Sequence, residues 1–333
     1  MEKLLQVEGL KISFTTHAGQ VQAVRGVTFS LAAGEAVALV GESGCGKSAT
    51  AHAIMGLIPD PPGKITGGAV FFDGEDLLLK SEGEMEKIRG NRIGMVFQDP
   101  MTCLNPTMTI GGQLMEGLME HRRLSRSQAK EKAMEMLSLV GISRPEQRIK
   151  QYPHEFSGGM RQRVMIAMAL SCQPDLIIAD EPTSALDVTI QAQILELLKG
   201  LQKQIGSSII LITHDLGVVA SLCSRVLVMY AGQIVEAGHV REVFYQPRHP
   251  YTWSLLQAVP RLDVPKKERL ASLPGQPPDL IQPSPACSFA PRCAYAMRIC
   301  LEEAPPETVA GSRRASCWLM DPQAPQVPWE GVS

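Results

Sequence analysis

Residues 4–14 alternate apolar and polar side chains closely enough to predict a half-buried strand that ends at Phe14. After the polar turn Thr15–Gln20, two further strand segments are expected at Val21–Val24 and Val27–Leu31. A third, Glu35–Val40, runs straight into glycines and then into an alanine-rich helical stretch, Ala49–Gly56. Farther on, Gly68–Gly74 reads as a strand and turn, residues 81–90 as a charged helix, and residues 93–97 as another strand. From Asp99 to Phe156 the period changes to helical. Ser125 and Gln128 form a capping box, Ala129, Ala133, Met136, Leu137 and Val140 recur on one face, and Gly141 is the stop.

A helix is expected from Ser157 to about Ser171, and another over Ile190–Gln204. Around them lie the short apolar runs Asp175–Asp180, Ser208–Thr213 and Arg225–Tyr230. Continuous apolar strands alternating with helices imply a parallel α/β core covered on both faces, with ligands at the carboxyl ends of the strands. After about Ala258 the chain becomes proline-rich and should form neither a central strand nor a regular helix.

Composition narrows the function. The 333 residues carry a formal charge of −2, with no basic excess of the kind that accompanies nucleic-acid binding. The amino terminus is acidic and no apolar run is long enough to span a bilayer, so a cytosolic chain is expected, reaching any membrane through partners. The cysteines divide into a scattered group, Cys45, Cys103, Cys172 and Cys223, and a terminal cluster, Cys287, Cys293, Cys300 and Cys317. In a reducing compartment such a cluster points to metal rather than disulfides. Its spacing lacks a tight C-x2–4-C knuckle, and four thiolates fit either zinc or an iron–sulfur cluster. Arg292, Arg298, Arg313 and Arg314 lie among these cysteines in sequence, and if close in space they would lower the thiol pKa values.

The chemistry centres on Gly41-Glu-Ser43-Gly44-Cys45-Gly46-Lys47-Ser48, a G-x-x-x-x-G-K-S loop between a strand and a helix. Its glycines let successive N–H groups converge on an anion, and the following helix adds its positive end. Lys47 can reach β- and γ-phosphates, and the Ser48 hydroxyl can ligate Mg²⁺. Asp180, at a strand end, is placed to hold Mg²⁺, and Glu181 can act as general base toward water. Gln98 offers a carboxamide to metal and water, and His214 can contact the γ-phosphate. Phe156-Ser157-Gly158-Gly159-Met160-Arg161-Gln162 opens a helix whose capped, glycine-bared start forms a second anion site.

One chain has no use for two γ-phosphate cradles, and at this point the sequence closely resembles the ATP-binding cassette ATPases over residues 4–240. The resemblance implies a P-loop, RecA-like ATPase core with an antiparallel β subdomain and an inserted helical subdomain. To these it adds a small, irregular cysteine-containing domain at the carboxyl end. The expected boundaries are 1–98 with 157–258 for the core, 99–156 for the helical insert and 259–333 for the terminal domain. Two such subunits would pack head to tail, so that Ser157, Gly158, Gly159 and Met160 of one close over ATP held by the other. The ATP contacts would then be Gly41, Ser43, Gly44, Cys45, Gly46, Lys47, Ser48 and Ala49, with Phe14 stacking on adenine. Mg²⁺ would fall to Ser48, Gln98 and Asp180. Ser184-Ala-Leu-Asp187 matches the loop that communicates between the two sites. The signature departs from the family's usual one at Phe156 and Met160, while its Ser-Gly-Gly is intact.

Pro247–Thr252, Leu273–Gly275, Gln98–Pro106 and the terminal cysteines look like the ATPase subunits of bacterial dipeptide and oligopeptide importers. That resemblance implies a 4Fe–4S cluster, with zinc as the alternative. It also implies a second related ATPase, two membrane permeases and an extracytoplasmic binding protein, with the subunit peripheral on the cytoplasmic face of the inner membrane and no nucleic acid bound. Nickel and glutathione importers share much of this architecture. A soluble cassette ATPase and a redox-regulated binding module are the alternatives of other classes.

Overall fold

The computed structural model describes residues 3–183, 188–259, 273 and 275–329. In chain order the first elements are β1 (Lys3–Thr16), β2 (Gly19–Ala32), β3 (Ala36–Val40), α1 (Lys47–Ile54), β4 (Gly63–Phe72) and β5 (Glu75–Asp76). Then come α2 (Glu82–Ile88), β6 (Ile93–Val96), α3 (Pro100–Cys103), α4 (Ile110–Arg122), α5 (Arg126–Leu139), α6 (Pro145–Arg148) and α7 (Gly158–Leu170). β7 (Leu176–Asp180), α8 (Val188–Ile205), β8 (Ser208–Thr213), α9 (Leu216–Leu222), β9 (Arg225–Tyr230) and β10 (Gln233–His239) follow. The chain ends with α10 (Val240–Tyr245), α11 (Pro250–Gln257), α12 (Arg298–Glu302), β11 (Glu307–Ala310) and β12 (Arg313–Ser316). No helix among the described residues is long and apolar enough to cross a membrane.

These elements divide into two compact units, one built mainly from Asp76–Ile212 and the other from Leu5–Ser30, Val37–Glu75 and the chain after Thr213. In the first, β8, β7 and β6 lie side by side and parallel. Every residue of β7 and β8 is buried, which is why these strands read as unbroken apolar runs. The predicted helical stretch is a set of short helices with conventional caps. Thr109 accepts from the Gly112 N–H at the start of α4, and Ser125 with Gln128 closes the start of α5. Ile110, Leu114 and Leu118 of α4 pack with Ala129, Ala133, Met136 and Leu137 of α5 and with Val164, Ile166 and Leu170 of α7, all buried. Each such side chain contributes about 1.5–3 kcal/mol of transfer free energy where it is a large aliphatic. α7 crosses β6 so closely that a Cβ on Gly94 would stand 2.3 Å from the Ala169 carbonyl oxygen.

In the other unit β2, β1, β4 and β5 form an antiparallel sheet in that order, with β1 and β4 in register from Leu5 opposite Phe72 to Phe14 opposite Gly63. The polar segment Thr15–Gln20 is shorter as a turn than its composition suggests, because Thr16 and Gly19 are strand ends and the Thr16 hydroxyl donates to the Gly19 carbonyl at 2.8 Å. The two segments expected at Val21–Val24 and Val27–Leu31 are one strand, with Gly26 carrying the chain through at φ 94°.

A second sheet in this unit runs β11-β12-β10-β9-β3, with β3 parallel to β9 and the others antiparallel. Its edge corrects the expectation of an irregular carboxyl-terminal domain. Residues 307–316 form a hairpin, and β12 pairs with β10 at Glu236–Ala315 and Ala237–Arg314. Arginines hid this strand from the hydrophobic pattern. Arg313 is buried because it donates to the Gln246 carbonyl and stands 3.8 Å from Glu236, itself almost fully buried. Of the proline-rich stretch, residues 260–272 lie outside the described residues.

Candidate functional site

β3 delivers the chain into the phosphate loop, where Gly41, Gly44 and Gly46 take φ values of 154°, 78° and 101°. Two of these glycines are also required by packing. A Cβ on Gly41 would lie 2.1 Å from the Met229 carbonyl oxygen of β9, and one on Gly46 would lie 2.3 Å from the Ala23 carbonyl oxygen of β2. Around Gly44 there is open space. Gly46 is the residue before α1 and supplies no side-chain cap, so the first-turn N–H groups of α1 are not claimed by a cap. Lys47 is buried, and its ammonium donates to the carbonyl oxygens of Gly41 and Glu42, each at 2.8 Å. Ser43 and Gly44 are exposed, whereas Ser48 and Ala49 are half-buried.

Cys45 is buried with its sulfur 3.8 Å from the Lys47 ammonium. Burial raises the pKa of this thiol and Lys47 opposes the rise, so Cys45 is a packing residue of the loop. Two residues to which the sequence assigned no role at the phosphate loop hold it from outside. The Glu42 N–H donates to the Tyr251 hydroxyl at 2.8 Å, and Arg292 donates to both Glu42 carboxylate oxygens, at 2.6 and 3.0 Å. Tyr251 belongs to the Pro247–Thr252 segment, which carries part of the resemblance to the peptide-importer ATPases.

In the other unit Asp180 ends β7 and is 4% exposed. Glu181 follows at φ 44°, a conformation that costs a non-glycine residue about 1 kcal/mol or more and that concentrates at functional sites. Its N–H donates to the Ile212 carbonyl at 2.9 Å, which fixes the turn against β8. The structure brings Gln98 to Glu181, with the carboxamide donating to the carboxylate at 3.3 Å. His214 follows β8 and is exposed.

The signature turn opens α7. The Ser157 hydroxyl accepts from the Met160 N–H at 3.4 Å, and Ser157 and Gly158 are exposed while Phe156 is buried beneath them. Gly159 faces Ile190 of α8, leaving 3.2 Å for a Cβ. Gln162, one turn farther along and buried, donates to the Pro182 carbonyl at 2.6 Å. That bond ties the signature helix to the residue after Glu181, and a lone glutamine on an apolar helix gave no sign of it. Phe14 is half-buried, with its ring so near Gly63 that a Cβ there would stand 2.7 Å from it. Asp187 lies outside the described residues.

The terminal cysteines come together. Cys287 donates its N–H to the Cys300 carbonyl at 3.1 Å, and Cys317 senses the charges of Cys287, Cys293 and Cys300. Burial, reinforced by that mutual repulsion, pushes the Cys293 thiol up to about 11 and the Cys317 thiol up to about 12. The expectation that neighbouring arginines lower these values is therefore overturned. Each arginine is engaged elsewhere: Arg292 with Glu42, Arg298 with Glu302, Arg313 with Glu236 and Arg314 with Glu307. Four cysteine thiols are, by residue type, a donor set suited to a thiolate-ligated group. Among the described residues, however, no three or more His, Cys, Asp or Glu side chains are grouped to hold a metal ion.

Comparison with known proteins agrees with this geometry. Residues 24–184 match the family model described as ABC transporter, and residues 235–300 match that of the oligopeptide/dipeptide transporter, C-terminal region. The oligopeptide transport ATP-binding protein OppD of Bacillus subtilis is 58% identical, over 98% of this chain and 91% of its own. The dipeptide transport ATP-binding protein DppD of the same organism is 56% identical, over 97% of each. A solved dimeric ATP-binding cassette, bound to ADP and Pi in a post-hydrolysis state, superposes with a TM-score of 0.64 at 29% identity, covering 71% of this chain and 99% of its own. The chain belongs to the ABC transporter ATP-binding family, in the branch that carries the oligopeptide/dipeptide transporter C-terminal region.

Proposed function

We propose that this chain is the ATP-hydrolysing subunit of an importer for dipeptides or oligopeptides, working with membrane permeases and an extracytoplasmic binding protein. The observation that carries the reading is the phosphate loop. A buried lysine rests on the loop's own carbonyl oxygens, in a glycine backbone that opens onto the start of a helix. The names and near-complete coverage of the relatives support the transport role and the peptide cargo. As a peripheral subunit it would act at the membrane through those permeases.

In this reading Gly41, Ser43, Gly44, Cys45, Gly46, Lys47, Ser48 and Ala49 bind the nucleotide, and Phe14 stacks on the base. The hydroxyl of Ser48, the carboxylate of Asp180 and the carboxamide of Gln98 are oxygen donors suited to Mg²⁺, which would offset the charge of the phosphates. Glu181, held by its strained backbone and by Gln98, takes a proton from water, and His214 contacts the terminal phosphate. Ser157, Gly158, Gly159 and Met160 serve the ATP of a second, related ATPase subunit, with Asp187 between the two sites. In this reading 1–98 with 157–258 form the ATP-binding core, 99–156 is the helical subdomain that contacts the transmembrane partners, and 259–333 is the terminal domain that carries the four-cysteine site.

Glu181→Gln is expected to leave ATP affinity within about threefold of the parent and to lower turnover in the assembled transporter by about 10²–10⁴-fold. Parental hydrolysis by this variant would refute Glu181 as the base.

The four terminal thiols are assigned to a 4Fe–4S cluster in preference to zinc. The four-cysteine pattern and its resemblance to the peptide-importer ATPases support the assignment. When bound, the cluster would hold the segment in place. Anaerobic purification should give iron and sulfide in proportion to protein, and Cys293→Ser should lose both. Zinc without iron in the parent overturns the assignment.

A further inference from the structure

Glu42 is an unexpected residue to find among phosphate-binding positions, because its carboxylate carries the same sign as the ligand. The structure meets that charge with one arginine. Arg292 lies in the turn between Cys287 and Cys293, about 250 residues away in sequence, and its side chain is only 4% exposed. It donates in a bidentate manner to Glu42, bonds to the Tyr230 hydroxyl at 3.3 Å and sits over the Tyr230 ring. The planar fork of arginine suits this pairing as lysine does not.

Its support is built in layers. Phe289 packs edge-on against Tyr230, with ring centroids 5.2 Å apart, and against Tyr251 at 5.4 Å. Tyr230 and Tyr251 touch each other at 4.5 Å. The Tyr251 hydroxyl then accepts from the Glu42 N–H. Gly275, at φ 73°, lies against the arginine stem, where a Cβ would come within 3.3 Å of the Arg292 Cγ. Three separate stretches, Pro247–Thr252, Gly275 and the four-cysteine segment, thus converge on one loop residue, whose carbonyl in turn receives Lys47.

We propose that Arg292 is a positioning residue for nucleotide binding, neutralising and fixing Glu42 so that the loop accepts a triphosphate. This rests on the ATPase reading above. Without the guanidinium, the Glu42 carboxylate is left beside the phosphate cradle, where it repels the ligand and is free to draw Lys47 out of position. The effect is signed. Loss of the arginine weakens binding, and loss of the carboxylate in the same molecule restores it.

The test is a titration of the full chain with a fluorescent ATP analogue, with Lys47→Ala as the non-binding control and thermal melting as the check on folding. Arg292→Gln is expected to bind about tenfold more weakly than the parent. Arg292→Gln combined with Glu42→Gln is expected to return to within about threefold of the parent, and Glu42→Gln alone to bind at least as tightly as the parent. A merely structural arginine would give a double variant no better than Arg292→Gln. That result, parental affinity in Arg292→Gln, or more than threefold weakening in Glu42→Gln overturns the proposal. The last holds even where Arg292→Gln does not fold. A parent that binds no nucleotide overturns the ATPase reading and the proposal together, whereas a parent that binds while the variants fail these patterns overturns the proposal alone.

Discussion

Two helix starts in this molecule have the same purpose on paper and opposite surroundings in space. Ahead of α1, the phosphate loop is gripped from several directions. Strand carbonyls press on Gly41 and Gly46, Lys47 bonds inward, and Tyr251 and Arg292 hold Glu42. At α7, Ser157 and Gly158 stand in solvent above a buried Phe156, with one 3.4 Å cap bond at the turn. A braced cradle is preorganised to bind an anion by itself, because the cost of ordering it is met during folding. A bare helix start can contribute one or two N–H groups but cannot enclose a ligand. The difference teaches that the first is built as a cradle and the second as an open surface, which fits the proposal that the Ser157 turn serves the ATP of a second ATPase subunit.

The strongest way to break this comparison is through Lys47. Lys47→Ala should weaken nucleotide binding by on the order of 100-fold, since charge-assisted bonds to phosphate are removed. Calorimetric titration of the isolated chain reads this, and an affinity within threefold of the parent would show that the braced loop is not the cradle.

Next comes the bracing itself. Gly41→Ala forces a Cβ to within 2.1 Å of a backbone oxygen and should lower stability by about 3 kcal/mol or more. Gly44→Ala meets open space and carries only the left-handed backbone cost, about 1 kcal/mol. Chemical denaturation of the two variants measures the gap, and equal losses would mean that the loop is not packed against β9 as described.

The smallest effect on the isolated chain is expected at the bare turn. Ser157→Ala should cost about 1 kcal/mol as a lost helix cap and leave nucleotide affinity unchanged. In the assembled transporter the same change should reduce turnover. An affinity loss in the isolated chain would place Ser157 in its own subunit's site and erase the distinction.

Much of the candidate site could be placed on its elements from the sequence because those elements are local. A phosphate loop is one strand end, one turn and one helix start, so Gly41 to Ser48 could be read as a unit, and so could the Ser157 turn. Asp180 and Glu181 were legible for the same reason, since an apolar run of known length ends just before them. What stayed hidden is nonlocal. Gln162 reaching Pro182, Tyr251 reaching Glu42 and Arg292 crossing most of the chain to the same residue have no period or spacing that announces them. The β12 strand was missed because one of its two buried residues is an arginine, whose burial makes sense only once Glu236 of β10 lies within ion-pair distance.

The sequence by itself determined most of the strands and helices of the core, many of its turns, and what kind of anion the Gly41–Ser48 loop can take. Those properties depend on periodicity and on backbone freedom within a few residues. Tertiary structure alone decided which glycines are sterically obligatory, which charges neutralise each other, and that the four-cysteine segment supports the phosphate loop. Such facts arise from the approach of residues that chain connectivity leaves far apart, and only the packed core brings them within hydrogen-bonding distance.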